Sequence, residues 1–404
     1  MMSQKADSFI AREKTYLAHN YKPLPVVLTR GEGVWVWDVD GNRYLDFLSA
    51  YSAVSGGHHN TRIIKALNDQ LNKIDVPSRA FYTDVLGLYA EKLCRFTGMD
   101  KMLPMNTGAE AVETAIKAAR RWGYKVKNIP ADKARIIVCD GNFHGRTTTI
   151  ISFSSDADYR DGFGPLTTGF DIIPFGDVAA LENAITPETC AFLVEPIQAE
   201  VGIKVPPKGW LAAAQDVCRK HNVLLILDEI QTGMARTGAN FCFQHEIDKP
   251  DGLTLGKALG GGIYPVSAFL ARADVMDVFN PGSHGSTFGG NPIAAAIGLE
   301  AITQMEDEKF AEKSSVLGAY LKDQLAAIQS PLIKEVRGMG LLVGLEIDPN
   351  YAKARSVCEA LMQKGMLCKE THETVVRFAP PLIISKEEID WAVEQVAAVL
   401  KEMA

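Results

Sequence analysis

From about residue 100 to residue 260 the chain repeats one pattern, in which a short apolar run is followed by a helix-length amphipathic stretch and then by another apolar run. The clearest runs are Met102–Met105, Ile136–Cys139, Phe170–Ile173, Ala191–Val194 and Val223–Leu227. Helical patterns such as Ala111–Trp122, Val178–Ile185 and Trp210–His221 lie between them. Strands that are apolar on both faces and alternate with helices predict an α/β fold with a mainly parallel sheet covered on two sides. Upstream, Val34–Val39 and Tyr44–Phe47 flank Asp40-Gly41-Asn42, which supplies the backbone freedom of a tight hairpin. Beyond Asn291-Pro292 come long helices, a strand pair near Leu341–Ile347 and Met366–Arg377, and a closing helix from about Ser385. A chain of 404 residues exceeds what one hydrophobic core serves, so a large domain and a smaller α+β unit are expected.

Composition narrows the function classes. No apolar run approaches the length that spans a bilayer, and the first residues lack the apolar core of a secretion signal, so a cytoplasmic protein is expected. The seven cysteines stand apart, at 94, 139, 190, 218, 242, 358 and 368, without the spacing of a zinc or redox motif. The pair His58-His59 lies in a Gly-rich loop with no His-Glu-x-x-His, and no metal is expected. A net charge of −7 argues against a general nucleic-acid binder.

The strongest chemical signal is Val223-Leu-Leu-Ile-Leu-Asp228-Glu229-Ile230-Gln231-Thr232-Gly233, an acid at the carboxyl end of a buried strand, where open α/β sheets bind ligands. Twenty-nine residues later Lys257 stands in the small, uncharged run Thr254-Leu-Gly-Lys-Ala-Leu-Gly-Gly-Gly262, a setting that disfavours the ammonium form. Together they suit pyridoxal 5′-phosphate: the lysine amine condenses with its aldehyde as a Schiff base, and the carboxylate pairs with the protonated pyridine nitrogen. A lysine displaced by a substrate amine can then carry the proton that transamination moves. Asn106-Thr107-Gly108-Ala109-Glu110 offers a helix N-terminus for the phosphate, and Gly285–Asn291, with Ser286 and Thr287, a second turn to complete it. Phe143 and Ile230 are candidates for the two faces of the ring.

Each feature alone has an ordinary reading. Lys257 fits a surface loop, Asp228-Glu229 and Thr107 fit helix or turn caps, Phe143 fits a core position, and Gly285–Gly290 fits a plain turn. Their number and order carry the chemical reading.

With these residues assembled, the chain resembles the fold-type I, class III aminotransferases, and more closely the ornithine δ-aminotransferases. The resemblance runs from about Tyr16 to Leu400. It is carried by His19-Asn-Tyr-Lys-Pro-Leu-Pro25, Tyr51-Ser-Ala-Val54, Leu103-Pro-Met-Asn-Thr-Gly108, Asp161-Gly-Phe-Gly-Pro165, Glu195-Pro-Ile-Gln198, Asp228–Gly233 and Arg377-Phe-Ala-Pro-Pro381. The resemblance implies a strand-bearing N-terminal segment over residues 1–51 and a large cofactor domain over 52–297 on a mainly parallel, seven-stranded sheet. A small C-terminal α+β domain over 298–404 completes the expected division. It also implies that Lys257 and Asp228 hold pyridoxal phosphate as described, that Gln231 lies near its phenolic oxygen, and that Thr287 reaches the phosphate of a neighbouring subunit in a homodimer with shared sites.

For the substrate, the resemblance implies that Arg146 grips the distant carboxylate of ornithine and that Tyr21 and Tyr51 line the pocket, Tyr21 beside the α-amine. Glu200 is expected to neutralise Arg377 while ornithine is bound and to release it for 2-oxoglutarate or glutamate. Such a switchable pair lets one pocket take a cationic δ-amine and then a dicarboxylate. Without the resemblance, Arg146, Glu200 and Arg377 read as ion pairs of little energetic weight, and both tyrosines as packing residues. The expected reaction gives glutamate and glutamate-5-semialdehyde, which cyclises to pyrroline-5-carboxylate.

Three departures from the family pattern stand out: the loop Ser55-Gly-Gly-His-His-Asn60, Ala199 in place of the glycine that commonly precedes the gating glutamate, and His144 where some relatives carry tryptophan. A methyl group at Ala199 is expected to restrict Glu200. Aminotransferases acting on N-acetylornithine, 4-aminobutyrate or lysine remain alternatives, as do a decarboxylase or racemase using the same cofactor and a non-catalytic relative.

Overall fold

The computed structural model describes residues 3–404. Helix α1 (Gln4–Tyr16), capped by the Ser3 hydroxyl, leads into strands β1 (Leu28–Glu32), β2 (Trp35–Asp38) and β3 (Arg43–Asp46). The β2–β3 hairpin turns at the expected Asp-Gly-Asn, where Asp38 accepts from the backbone N–H of Asp40 and Asn42. Strand β1 was not expected from sequence. Its residues are almost all exposed and include Arg30, Gly31 and Glu32, so an edge strand is formed without hydrophobic alternation.

The central sheet has seven strands in the order β4-β10-β9-β8-β7-β5-β6. These are β4 (Lys101–Met105), β5 (Arg135–Cys139), β6 (Phe170–Ile173), β7 (Thr189–Val194), β8 (Leu224–Asp228), β9 (Gly252–Leu255) and β10 (Ser267–Ala271). The pairs among β5 to β9 are parallel, whereas β10 runs antiparallel to both β9 and β4. Side chains alternate between two cores. Ile136, Val138, Leu193, Leu224 and Ile226 pack on one face, and Ile137, Cys139, Phe192, Val194, Leu225 and Leu227 on the other. The first face is covered by α2 (Gly108–Lys125), whose Val112, Ala115, Ile116, Ala119 and Trp122 recur at helical spacing.

After the sheet, α3 (Pro292–Asp307) and α4 (Phe310–Ala326) lead into strands β11 (Ile333–Met339) and β12 (Leu342–Ile347). Helix α5 (Ala354–Gln363) precedes β13 (Met366–Leu367), β14 (Lys369–Thr371) and β15 (Val375–Phe378), and α6 (Lys386–Met403) closes the chain behind a Ser385/Glu388 capping box. The stretch Met366–Arg377, expected to be one strand, is three. Strand β13 pairs in parallel with β3 of the N-terminal sheet, and β14 folds back on β15 through a turn in which His372 takes a left-handed backbone. No glycine or proline marks that turn, which falls in the all-polar run Lys369–Thr374. Only β15 pairs with β12, placing Arg377 opposite Gly344.

Candidate active site

Several functional side chains converge at the carboxyl ends of the parallel strands. Asp228 ends β8 and is buried; its Oδ1 accepts from the Ile230 N–H at 3.1 Å, which fixes the carboxylate on its own turn. Its Oδ2 lies 2.6 Å from Nδ1 of buried His144, which donates to it. His144 sits on the turn after β5, and that turn is held by Asn142 Nδ2 donating to the carbonyls of Cys139 (2.7 Å) and Phe153 (2.9 Å). Glu195, just after β7, accepts from the Phe143 N–H at 2.9 Å, so two neighbouring strand ends are clipped together beside Phe143. Burial and the adjacent Asp228 charge raise the Glu195 pKa well above the usual range, which favours a neutral acid there.

Lys257 follows β9 and adopts a φ of +47°, a left-handed backbone that side chains rarely tolerate and that clusters at functional sites. Desolvation lowers its pKa to about 8, with Arg377 adding to the effect and Glu200, Asp228 and Glu195 opposing it. The structure therefore brings the two central candidates, Lys257 and Asp228, into one electrostatic field.

The start of α2 forms the expected concave backbone turn. Thr107 and Glu110 make a capping box, with the Glu110 N–H donating to Thr107 Oγ1 at 3.3 Å and the Thr107 N–H donating to Glu110 Oε2 at 2.7 Å. Gly108 and Ala109 occupy the first helical positions, whose N–H groups have no acceptor within the helix and suit an anion. Ile230 closes against this turn: a Cβ placed on Gly108 would come within 2.9 Å of its Cδ1, and one on Gly256 within 3.5 Å of its Cγ2. Asn106 Nδ2 donates to Ser286 Oγ at 2.8 Å, joining the second turn to the first, whereas Thr287 faces outward. An N-terminal anion cradle, a partly neutral lysine and a carboxylate at the strand end fit pyridoxal phosphate by the chemistry of their donors.

On the substrate side, Arg377 is 1% exposed, and its Nη1 donates to Glu200 Oε1 at 2.8 Å and to Gln231 Oε1 at 3.3 Å. Gln231 Nε2 also donates to Glu200 Oε1 at 3.1 Å, so Gln231 is bonded to both members of the pair. Burial alone would raise the Glu200 pKa, but Arg377, Lys257 and these hydrogen bonds bring it down to about 2. The Tyr51 ring lies 4.8 Å from the Arg377 guanidinium carbon. Arg146 is exposed, with its guanidinium carbon 4.6 Å from the Tyr159 ring centre and 5.6 Å from that of Phe143. Tyr21 is 69% exposed, on a segment pinned by Arg355, which donates to the carbonyls of Lys22 and Pro23. Ala199, expected to hinder Glu200, is packed in an apolar cluster with Ile197, Ile203, Leu342 and Ala379. Its methyl group is thus accommodated in the core.

Three residues near the site escaped the sequence reading as functional candidates. His144 registered only as a departure, Glu195 only as part of a motif, and Arg236 not at all. An imidazole beside Phe143 was the available signal for His144, since a strand-end aspartate needs a donor.

A family model for aminotransferase class III matches residues 16–400. The ornithine aminotransferase of Brevibacillus brevis is 55% identical over 396 residues, covering 98% of each chain, and that of Bacillus subtilis is 54% identical over 397 residues with the same coverage. Among solved structures, ornithine aminotransferase from Toxoplasma gondii, described with partial occupancy of PLP at its active site, superposes with a TM-score of 0.97. It is 46% identical and covers 98% of this chain and 94% of its own. Acetylornithine aminotransferase from Elizabethkingia anophelis is also 46% identical, with a TM-score of 0.90 and coverage of 98% and 99%. Overall shape therefore does not separate the two substrates.

Proposed function

The chain belongs to the class-III aminotransferases, and from that membership we propose that it transfers the δ-amine of L-ornithine to 2-oxoglutarate, with pyridoxal 5′-phosphate as its cofactor. The observation that carries this reading is the part-buried Glu200–Arg377 bond beside Lys257. A pocket that must admit a cationic amine and then a dicarboxylate needs an arginine that can be masked and unmasked.

In this reading Lys257 and Asp228 would hold the cofactor at its aldehyde and its ring nitrogen. Gly108, Ala109 and Ser286 would receive its phosphate, Ile230 and Phe143 would border its ring, and Gln231 would serve its phenolic oxygen. When bound, pyridoxal phosphate supplies the electron sink that lets the amine-bearing carbon lose a proton. Lys257 Nζ, with its pKa lowered to about 8, takes up that proton and returns it. His144 holds Asp228 in place from behind. Arg146, stacked on Tyr159, offers its planar donors to the α-carboxylate of ornithine, a task for which a bidentate fork is suited. Tyr21 and Tyr51 border the remaining space, and Glu200 keeps Arg377 from competing for that carboxylate. Once Glu200 swings away, Arg377 receives the carboxylate of 2-oxoglutarate.

We further propose a homodimer in which Thr287 reaches the partner's phosphate site. Thr287 and the neighbouring Phe288 are exposed, and Thr287 shares a cleft with Val76, Pro77 and the exposed Phe81, so apolar groups available to a partner lie beside it. A cytoplasmic location accords with seven unpaired cysteines.

The test is to incubate cofactor-loaded protein with 2-oxoglutarate and, in parallel, L-ornithine, N-acetylornithine, 4-aminobutyrate or lysine, measuring the glutamate formed from each and trapping pyrroline-5-carboxylate from ornithine with o-aminobenzaldehyde. Product from ornithine in preference to the others is expected. Turnover of N-acetylornithine in its place would overturn the roles given to Tyr21, Tyr51 and Glu200 and leave those of Lys257 and Asp228 standing.

A further inference from the structure

Arg236 is fully buried, and among the described residues its guanidinium bonds only to neutral acceptors. Nη1 donates to the carbonyls of Leu341 (2.9 Å) and Pro380 (2.6 Å), and Nη2 to the hydroxyls of Ser49 (3.3 Å) and Ser55 (3.1 Å). Desolvation lowers its pKa to about 9, with Asp46 opposing the shift. A buried cation without a bonded carboxylate is costly, so its position calls for an explanation beyond packing.

Its partners bracket the substrate side of the site. Ser49 and Ser55 flank Tyr51, and Pro380 follows Arg377 by three residues. Between the serines, Ser49, Ala50, Tyr51 and Ser52 run through left-handed backbone, with φ values of 43°, 48°, 59° and 73° and no glycine among them. Such a turn persists only where its surroundings over-determine it. Asp46 Oδ1 accepts from the N–H groups of Leu48 (2.9 Å) and Ser49 (2.8 Å), and Ser49 Oγ donates to the Ala379 carbonyl at 2.6 Å. Ser55 Oγ donates to the Ser52 carbonyl at 3.1 Å, closing the far side of the turn. Alongside the direct Ser49–Ala379 bond, Arg236 thus bonds both to the turn that carries Tyr51 and to the segment that follows Arg377, whose guanidinium carbon lies 4.8 Å from the Tyr51 ring.

We infer that Arg236 is a positioning residue for the dicarboxylate half-reaction: by fastening Ser49, Ser55 and Pro380 to one planar fork, it sets how Tyr51 stands over Arg377 and hence how Arg377 receives a carboxylate. This rests on the proposed roles of Arg377 and Glu200. None of the four bonds reaches Asp228, Lys257 or the Gly108 turn, so the cofactor side is independent of them. Lysine at this position keeps the charge but has no planar fork to span four acceptors.

The experiment compares the parent with Arg236→Lys, Tyr51→Ala and the double variant, all cofactor-loaded. It measures melting temperature, cofactor absorbance, the Kd for glutarate, an unreactive dicarboxylate, and KM and kcat for the glutamate half-reaction, which does not depend on ornithine being the donor. Arg236→Lys is expected to weaken glutarate binding and raise the glutamate KM by roughly tenfold, the scale of coupling through a shared backbone shift. Cofactor absorbance should stay unchanged, and kcat should change less than KM. In the Tyr51→Ala background the same substitution should add little. Parental glutarate affinity in Arg236→Lys, or an equal loss whether or not Tyr51 is present, would overturn the inference. If the lysine variant does not fold, Ser55→Ala removes a single acceptor and should weaken glutarate in the same direction; no change would overturn the inference. A parent that binds glutarate yet ignores ornithine would refute the substrate reading alone, whereas a parent that does not bind glutarate would refute both.

Discussion

Glu200 Oε1 lies 2.8 Å from Arg377 Nη1, and Gln231 hydrogen-bonds to both residues. The pair is an ion bridge inside the pocket, with the Glu200 pKa brought down to about 2. The masking role proposed for it leads directly to a substrate prediction.

Glu200→Ala leaves Arg377 permanently open to carboxylates. The KM for glutamate should fall, and kcat/KM for ornithine should fall as its carboxylate competes for the wrong arginine. The ratio of the two efficiencies should move by about tenfold or more, the worth of one charge-assisted hydrogen bond. Steady-state kinetics with each donor check this; an unchanged ratio would show that the pair does not gate.

Lys257 leads to a pH prediction. Desolvation places its pKa at about 8, below the 10.5 of an ordinary lysine, so the cofactor-free fold binds fewer protons than the unfolded chain between those values. Stability of the cofactor-free protein should therefore rise with pH across that window, and the cost of burying the ammonium is fully present below about 8. The rate at which cofactor-free protein recaptures pyridoxal phosphate should rise with a midpoint near pH 8. A midpoint close to that of free lysine would contradict the burial argument.

His144→Ala removes the donor to Asp228 Oδ2 from a buried position. Bonds to charged groups contribute about 1.5–3 kcal/mol, so cofactor affinity should drop by roughly tenfold to a hundredfold. Titration of cofactor-free protein with pyridoxal phosphate measures this directly; parental affinity would show that Asp228 needs no such support.

Much of this site was legible because its residues lie at strand ends and in glycine-rich turns. Asp228 follows five apolar residues, Lys257 sits in an uncharged run, and Thr107-Gly108 announces a helix start. The parallel sheet was legible for the same reason, since its central strands are buried on both faces. What escaped was non-local. Strand β1 has an exposed polar pattern, the split of Met366–Arg377 depends on pairing with β3, and Arg236 matters through residues 181 and 187 positions away in the chain. No local periodicity encodes such contacts. His144 was visible as an oddity, but its partner is 84 positions distant.

Gly108→Ala tests the anion turn and Ile230 together. The added methyl would meet Ile230 Cδ1 at 2.9 Å, the far end of a flexible side chain, so the fold should adapt while Ile230 is pushed out of place. Melting temperature should change little and cofactor affinity should weaken by about tenfold, roughly 1.4 kcal/mol. Loss of stability with unchanged affinity would mean that Ile230 does not border the cofactor.

The central claim concerns which nitrogen moves. Cofactor-loaded protein would be given 2-oxoglutarate with L-ornithine labelled with nitrogen-15 at either the δ or the α position, and the product glutamate analysed by mass spectrometry. Label in glutamate from δ-labelled ornithine and none from α-labelled ornithine is the predicted result. Label arriving from the α position would contradict the account of Arg146, Glu200 and Arg377.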